Sequence, residues 1–128
     1  MIAAGSGAGR RVLVVDDHVA SVTSLSLVLS LLGYDVRCAF DGIEAVRCAA
    51  EFKPEITILD LSLPLLDGYA VAELLRAMVE TRDTLLVAMT GWGSAAVSER
   101  VRASGFDLHL VKPVSVDRLT DALQLAGC

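Results

Sequence analysis

The stretch that decides the fold reads ITILDLSLPLLDG and covers residues 56–68. Its first four residues are apolar or β-branched, which is typical of a buried strand. The run stops at Asp60, and Pro64 together with Asp67-Gly68 predicts a loop after it. We therefore expect Asp60 at the carboxyl end of a central strand, where open α/β sheets place their chemistry. Taken alone, Asp60 could equally be a helix cap or an ordinary loop acid.

The rest of the chain alternates between predicted strands and helices. Strands are predicted at 11–15, 34–38, 56–59, 84–89 and 106–111, and helices at 19–32, 42–51, 68–79, 94–103 and 116–125. In the second helix, the spacing predicts that Ile43, Val46 and Ala50 face the core. This alternation predicts an α/β fold, a doubly wound five-stranded parallel sheet with helices on both faces. We expect a flexible segment at 1–10 and one domain at 11–128.

The composition narrows the class of protein. The chain has 128 residues, 54% of them hydrophobic and 21% charged, which excludes a disordered or coiled-coil class. Its net charge of -5 makes direct nucleic-acid binding unexpected. Three cysteines without metal-ligand spacing are typical of reduced thiols. No apolar stretch is long enough for membrane insertion, so a cytoplasmic location is expected.

Four motifs fall at predicted strand ends: Asp16-Asp17, Asp60, Thr90 and Lys112-Pro113. The carboxyl ends of parallel strands share one edge of a sheet, so these side chains are expected around one crevice. Three crowded carboxylates favour a hard cation such as Mg²⁺. A carboxylate beside Mg²⁺ can accept a phosphoryl group, and an ammonium and a hydroxyl can stabilise that group.

These motifs resemble the receiver domain of bacterial two-component response regulators, a CheY-like (βα)5 fold, over essentially residues 11–125. The intervals between Asp16, Asp60, Thr90 and Lys112 are 44, 30 and 22 residues, which also resemble that family. The resemblance implies that Asp60 is the phosphoacceptor in a phosphorelay. It implies that Asp16, Asp17 and Asp60 bind Mg²⁺ as the cofactor.

The resemblance implies further roles near the site. The backbone carbonyl of Ser62 would be another metal ligand, and Thr90 and Lys112 would contact the phosphoryl group. The Lys112–Pro113 peptide bond would be cis. His109 stands where the family often has Tyr or Phe as a rotameric switch, and a histidine there would add a pH dependence. The alternative for His109 is a half-exposed strand residue.

Trp92 stands two residues after Thr90. It is interpreted as a docking aromatic, a lid over the phosphoryl site, or packing.

The resemblance also implies the partners. It implies a signalling domain that is not an enzyme with a separate substrate, although it can catalyse its own phosphorylation and dephosphorylation. The donor would be a histidine kinase or a phosphotransfer protein, and a downstream protein would bind the switched surface. The sequence motifs around Thr90 and Lys112 resemble those of receivers fused to the end of hybrid sensor histidine kinases. The kinase can therefore lie on the same polypeptide. A phosphorylation-dependent homodimer is a further expectation.

Three rival functions are weighed against this one. A phosphatase with an aspartate nucleophile needs an acid–base Asp two residues on, where this chain has Ser62. A flavodoxin-like carrier needs a phosphate loop after the first strand, where this chain has Asp16-Asp17. A degenerate receiver that acts only as a protein-interaction module would not need Thr90 or Lys112.

Overall fold

The computed structural model describes residues 9–91 and 95–127. Trp92 and most of the predicted flexible segment lie outside the described residues. The strands are β1 (Arg11–Val15), β2 (Asp35–Ala39), β3 (Ile56–Asp60), β4 (Leu85–Thr90) and β5 (Leu108–Val111). The helices are α1 (Val19–Leu31), α2 (Gly42–Phe52), α3 (Gly68–Ala77), α4 (Ala95–Ala103) and α5 (Val116–Gly127).

The described strands form one parallel sheet in the order β2-β1-β3-β4-β5. Two apolar clusters cover its faces. One contains side chains of α2, α3 and α4, and the other contains side chains of α1 and α5. All five residues of β3 are buried, since this central strand is covered on both faces. The predicted doubly wound fold is confirmed. The strand order places the carboxyl ends of β1, β3 and β4 next to one another in the middle of one edge of the sheet.

Local signals explain where several elements begin and end. The carboxylates of Asp41 and Asp67 accept hydrogen bonds from the backbone N–H groups of Glu44 and Ala70, at 2.7 and 2.9 Å. These bonds satisfy donors that α2 and α3 leave unpaired at their first turns. Gly33 follows α1 with a φ of 95°, a conformation that glycine adopts without strain. These three residues therefore fix the starts of α2 and α3 and the end of α1.

The predicted core face of α2 was wrong for Ile43, which is 49% exposed. Ala45, Ala49 and Phe52 form the buried face instead. The two alanines belong to the cluster shared with α3, and their small side chains let the two helices approach closely. Packing against α3 therefore outweighs the larger apolar area of Ile43.

Strand limits differ from the predictions by one or two residues. β2 and β4 each lie one residue later than predicted, and β5 begins at Leu108, after Phe106 and Asp107. The N–H of Asp107 donates to the carbonyl of Leu86, at 2.8 Å, before the ladder of β5 begins. Within the described ranges, none of the helices has the length and apolar content needed to cross a bilayer.

Candidate functional site

Lys112 connects two acidic residues at the carboxyl edge of the sheet. Its Nζ donates to Oδ2 of Asp16 at 2.9 Å and to Oδ2 of Asp60 at 3.0 Å. Lys112 lies 96 positions after Asp16 and 52 positions after Asp60 in the sequence. The three side chains meet because β1, β3 and β5 end at the same edge of the sheet. Both carboxylates are almost fully buried, while the lysine side chain is 34% exposed. The cation therefore partly neutralises two acids that have little access to water.

The other oxygen of each carboxylate is held by the backbone. Oδ1 of Asp16 accepts from the N–H of His18 at 3.0 Å, and Oδ1 of Asp60 accepts from the N–H of Ser62 at 3.0 Å. Both bonds run from an aspartate to the N–H two residues later, the geometry of an Asx turn. The sequence does not single out His18 for this role, although an aspartate at the end of a strand followed by a loop is a signal for it. Each carboxylate is thus fixed in orientation before any ligand binds.

The two buried acids differ in proton affinity. Burial disfavours the ionised form of Asp16, but the N–H of His18 and the ammonium of Lys112 outweigh it and lower its pKa. For Asp60, burial is the largest influence and raises the pKa, the N–H of Ser62 and Lys112 oppose it, and the neighbouring Asp16 raises it further. Both carboxylates raise the pKa of Lys112 against the effect of its own burial. One ammonium therefore does not fully neutralise the charge of two carboxylates, and the uncompensated negative charge falls on Asp60.

Asp17 completes the acidic cluster from the exposed side. One carboxylate oxygen from each of Asp16, Asp17 and Asp60 lies within 4.8 Å of the others. Hard oxygen donors at this spacing fit Mg²⁺, which binds to a few carboxylates and keeps several waters. A cation here would also relieve the charge that Lys112 leaves on Asp60. The residues present therefore fit a divalent cation, with Asp17 open to solvent.

Thr90 lies at the same edge of the sheet as the acidic cluster. It ends β4 and is 5% exposed, and its carbonyl accepts the N–H of Lys112 at 2.7 Å. The N–H of Leu61 donates to the carbonyl of Met89, at 3.1 Å, so the loop after Asp60 is tied to the end of the same strand. The structure thus brings Thr90 to the same edge as Asp60 and Lys112.

Gly68 packs directly behind the end of β3. A Cβ at this residue would lie 2.5 Å from the carbonyl oxygen of Asp60 and 2.7 Å from Cα of Leu61. The N–H of Gly68 donates to the carbonyl of Leu61 at 3.0 Å. The sequence identified Asp67-Gly68 only as a loop signal. The structure shows that glycine is needed because the start of α3 lies directly against the backbone at Asp60.

The remaining predicted residues have mixed positions. The Lys112–Pro113 peptide bond is cis, as the resemblance implies. His109 lies on β5 opposite Ala88, and its buried Nε2 has no hydrogen-bond partner among the described residues. Its neighbours Leu108 and Leu110 pack with α1 and α5, so by strand alternation His109 faces the side of α3 and α4. Ser62 is exposed, and Trp92 lies outside the described residues.

Comparison with known proteins agrees with this geometry. Residues 12–124 match the family described as the response regulator receiver domain. The chain is 34% identical over 111 residues to the DNA-binding dual master transcriptional regulator RpaA of Synechocystis, covering 85% of this chain and 45% of that protein. It is 42% identical over 105 residues to the transcriptional regulatory protein PrrA of Mycobacterium tuberculosis, covering 80% of this chain and 43% of that protein. The chain spans less than half the length of these curated relatives.

Solved structures give the same family. The chemotaxis protein CheY4 of Vibrio cholerae superposes with a TM-score of 0.87 at 28% identity, covering 91% of this chain and 98% of that one. The receiver domain of a sensor histidine kinase from Pseudomonas aeruginosa superposes with a TM-score of 0.86 at 31% identity. That comparison covers 94% of this chain and 99% of the other, which has a magnesium ion coordinated in its active site cleft. With the family match spanning nearly the whole domain, this chain belongs to the response regulator receiver domain family of two-component signalling.

Proposed function

We propose that this domain accepts a phosphoryl group on Asp60, with Mg²⁺ held by Asp16, Asp17, Asp60 and the backbone carbonyl of Ser62. The observation that carries the proposal is the Lys112 ammonium shared between Asp16 and Asp60, with Asp17 beside them. This arrangement keeps a carboxylate buried beside a cation at the open edge of the sheet. Structural ion pairs do not need a third acid at the same point, whereas a metal-assisted phosphoryl acceptor does.

The reaction joins a carboxylate oxygen of Asp60 to the phosphorus of the donor. As that P–O bond forms, the bond from phosphorus to the donor nitrogen breaks, and the nitrogen keeps the electron pair. For a phosphohistidine donor the imidazole leaves in its neutral form. It keeps a proton already present on its other nitrogen, or it takes one from water. The product is an aspartyl phosphate, and nothing is oxidised or reduced.

The other residues of the crevice act on charge and position. Mg²⁺, when bound, offsets the charge that develops on the phosphoryl oxygens. Lys112 is placed to pair with one of those oxygens by exchanging its bond to Asp60, while its bond to Asp16 keeps the ammonium in place. The hydroxyl of Thr90 donates to another oxygen, which gives the phosphoryl group two donors from the chain.

The signal leaves the site through Thr90 and His109. Movement of Thr90 toward the phosphoryl group vacates space beside β5, and His109 turns into that space. This is a shift between two populated conformations of one fold. The surface of α4, β5 and α5 changes with it, and a downstream protein or a second copy of the chain binds there.

The phosphoryl donor in this proposal is a histidine kinase or a phosphotransfer protein. The curated relatives named above are transcriptional regulators, one of them described as DNA-binding. They favour a separate output domain on the same chain, and the likeness to a sensor kinase receiver supports the hybrid kinase as the second candidate. In either case the acidic receiver itself contributes regulation, with a net charge of -5 that opposes direct contact with DNA.

The experiment is an intact-mass measurement after incubation with Mg²⁺ and phosphoramidate. We expect one added phosphoryl group on the wild type, and none on Asp60→Asn or when Mg²⁺ is removed by a chelator. Asp35→Asn is the matched control, since Asp35 is an exposed acid on β2. Equal incorporation by Asp60→Asn and the wild type would reject the proposal.

A further inference from the structure

The segment that follows α4 is held firmly at the amino edge of the sheet. The guanidinium of Arg76, near the end of α3, donates to the carbonyl of Gly105 at 2.9 Å and to Oδ2 of Asp107 at 2.8 Å. The same guanidinium donates to the carbonyls of Thr84 at 2.7 Å and Arg82 at 2.8 Å. Charge-assisted bonds of this kind are roughly twice as strong as neutral ones. The C-terminal end of α4 is therefore fixed to α3 and to the chain before β4.

The body of α4 contacts α3 in a weaker way. The guanidinium carbon of Arg100 lies 3.8 Å from the centroid of the Tyr69 ring. Tyr69 is half-buried and packs against the apolar cluster that also receives Val97 and Val101 of α4. Arg100 itself is exposed, so the cation–π contact is partly screened by water. It is a weaker attachment than the hydrogen bonds of Arg76.

Tyr69 is also adjacent in sequence to the residue that packs behind Asp60. It directly follows Gly68, whose Cα faces the carbonyl of Asp60 too closely to carry a side chain. Arg100 belongs to the helix that follows Thr90 in the chain. The contact therefore joins the segment after the phosphoacceptor to the segment after the hydroxyl donor.

We propose that Tyr69 and Arg100 are positioning residues that set the switching equilibrium by holding α4 against α3 in the resting state. In the switched state α4 moves about its Arg76-anchored end, and the contact between Tyr69 and Arg100 is lost. The inference rests on the proposed function, because the switched state is the one that phosphorylation of Asp60 favours. A ligand or a mutation shifts such an equilibrium only through a contact that differs between the two states.

The expected effect follows from the strength of an exposed cation–π contact. Its loss raises the ratio of switched to resting molecules, without phosphorylation, by about two- to fivefold. Arg100→Lys keeps a cation and Tyr69→Phe keeps a ring, so both are expected to stay near the wild type. Arg102→Gln is the matched control, because Arg102 is an exposed arginine on the same helix.

The experiment uses backbone amide chemical shifts of residues 96–103 and His109. Spectra without ligand define the resting end, and spectra with Mg²⁺ and saturating beryllofluoride, a phosphoryl mimic, define the switched end. We expect Arg100→Gln and Tyr69→Leu to move the ligand-free shifts toward the switched end. The double variant is expected to move them no further than either single variant, because both remove the same contact.

Four outcomes decide the inference. Movement in Arg100→Gln and Tyr69→Leu, with none in Arg102→Gln, Arg100→Lys or Tyr69→Phe, supports it. Equal shifts in Arg100→Gln and Arg102→Gln would overturn it as a plain charge effect. If beryllofluoride leaves the wild-type spectrum unchanged, the proposed function itself fails and the inference fails with it, whereas a normal beryllofluoride response with unmoved variants rejects the inference alone.

Discussion

The two edges of the sheet use charged residues in opposite ways. At the amino edge, the carboxylate of Glu55 accepts from Nε of Arg10 at 3.2 Å and from the N–H of Arg11 at 3.3 Å. Burial alone would raise the pKa of Glu55, but these donors and the two positive charges lower it. At the carboxyl edge, burial and Asp16 raise the pKa of Asp60. Ionised Glu55 is thus favoured by folding, and ionised Asp60 is not.

The cations show the same contrast. The guanidinium of Arg76 at the amino edge donates to three backbone carbonyls and to a single carboxylate, that of Asp107. Its positive charge is therefore not divided between several acids. Lys112 at the carboxyl edge is shared between two buried carboxylates, with a third nearby. The amino edge therefore stabilises the fold, while the carboxyl edge keeps a carboxylate whose charge is not fully compensated, at some cost in stability. Such a cost is common where residues are retained for chemistry.

The largest expected effect comes from breaking the amino edge. Arg76→Ala leaves the part-buried carbonyls of Gly105 and Thr84 without this charged donor, while Asp107 keeps the N–H of Leu86. We therefore expect the free energy of unfolding to fall by about 3 kcal/mol. Because Arg76 is far from the acidic cluster, the folded variant should still accept a phosphoryl group on Asp60. Urea unfolding with intact-mass analysis measures both quantities. Arg82→Ala, which removes an exposed side chain of the same connection, is the control.

If Arg76→Ala loses less than about 1 kcal/mol, the hydrogen bonds of Arg76 are not the main support of that edge.

The next largest effect comes from removing the shared cation. Lys112→Met leaves two buried carboxylates unpaired, and we expect a loss of about 2 kcal/mol together with loss of phosphorylation. Asp60→Asn in the Lys112→Met background should recover part of that stability, because only one buried charge then remains. Chemical denaturation of the two single variants and the double variant tests this coupling. A gain from Asp60→Asn that is no larger in the Lys112→Met background than in the wild type would contradict the shared bridge.

Asp60→Asn alone should raise the stability of the metal-free protein by about 1 kcal/mol at neutral pH. Because the pKa of Asp60 is raised, the folded chain holds its proton to a higher pH than the unfolded chain does. The stability that protonated Asp60 contributes is full below its ordinary pKa and is lost as the pH rises through the folded pKa. The gain in Asp60→Asn should therefore be largest at about pH 8 and disappear near about pH 4. A variant that is less stable than the wild type at neutral pH would remove the claim of a cost at this edge.

Glu55→Gln should have the smallest effect, and it should have the opposite pH dependence. The pKa of Glu55 is lowered, so its contribution is full above the ordinary pKa and is lost as the pH falls through the folded pKa. Since the side chain is 36% exposed, we expect a loss of only about 0.5 kcal/mol at neutral pH, reduced by salt. Thermal melts at low and high ionic strength measure it. A loss that grows toward acid pH would reverse the assigned sign.

The sequence predicts the site edge better than the packing. Asp16, Asp60, Thr90 and Lys112 each follow an apolar run, and a parallel sheet necessarily collects such positions at one edge. The residues at the strand ends can therefore be predicted without knowing how the side chains pack. The sharing of Lys112 between two carboxylates does need it, because it depends on distances between residues 52 and 96 positions apart.

The amino edge could not be predicted from the sequence. Nothing in the pattern around Arg76 marks it, because its acceptors come from residues 82, 84, 105 and 107, which only the folded chain brings together. The wrong prediction for the buried face of α2 also arises from contacts that only the folded chain makes. Ile43 fits a helical stripe, but contact with α3 selects the smaller Ala45 and Ala49 for the buried face.

The most direct test of the account is to identify which carboxylate carries the phosphoryl group. The protein is phosphorylated with phosphoramidate and Mg²⁺, the acyl phosphate is reduced with borohydride to the corresponding alcohol, and the modified residue is located by peptide mass spectrometry. We expect conversion of Asp60 to homoserine, with Asp16 and Asp17 unchanged. Modification at Asp16 or Asp17 in place of Asp60, or no modified residue in protein that has bound Mg²⁺, would contradict it.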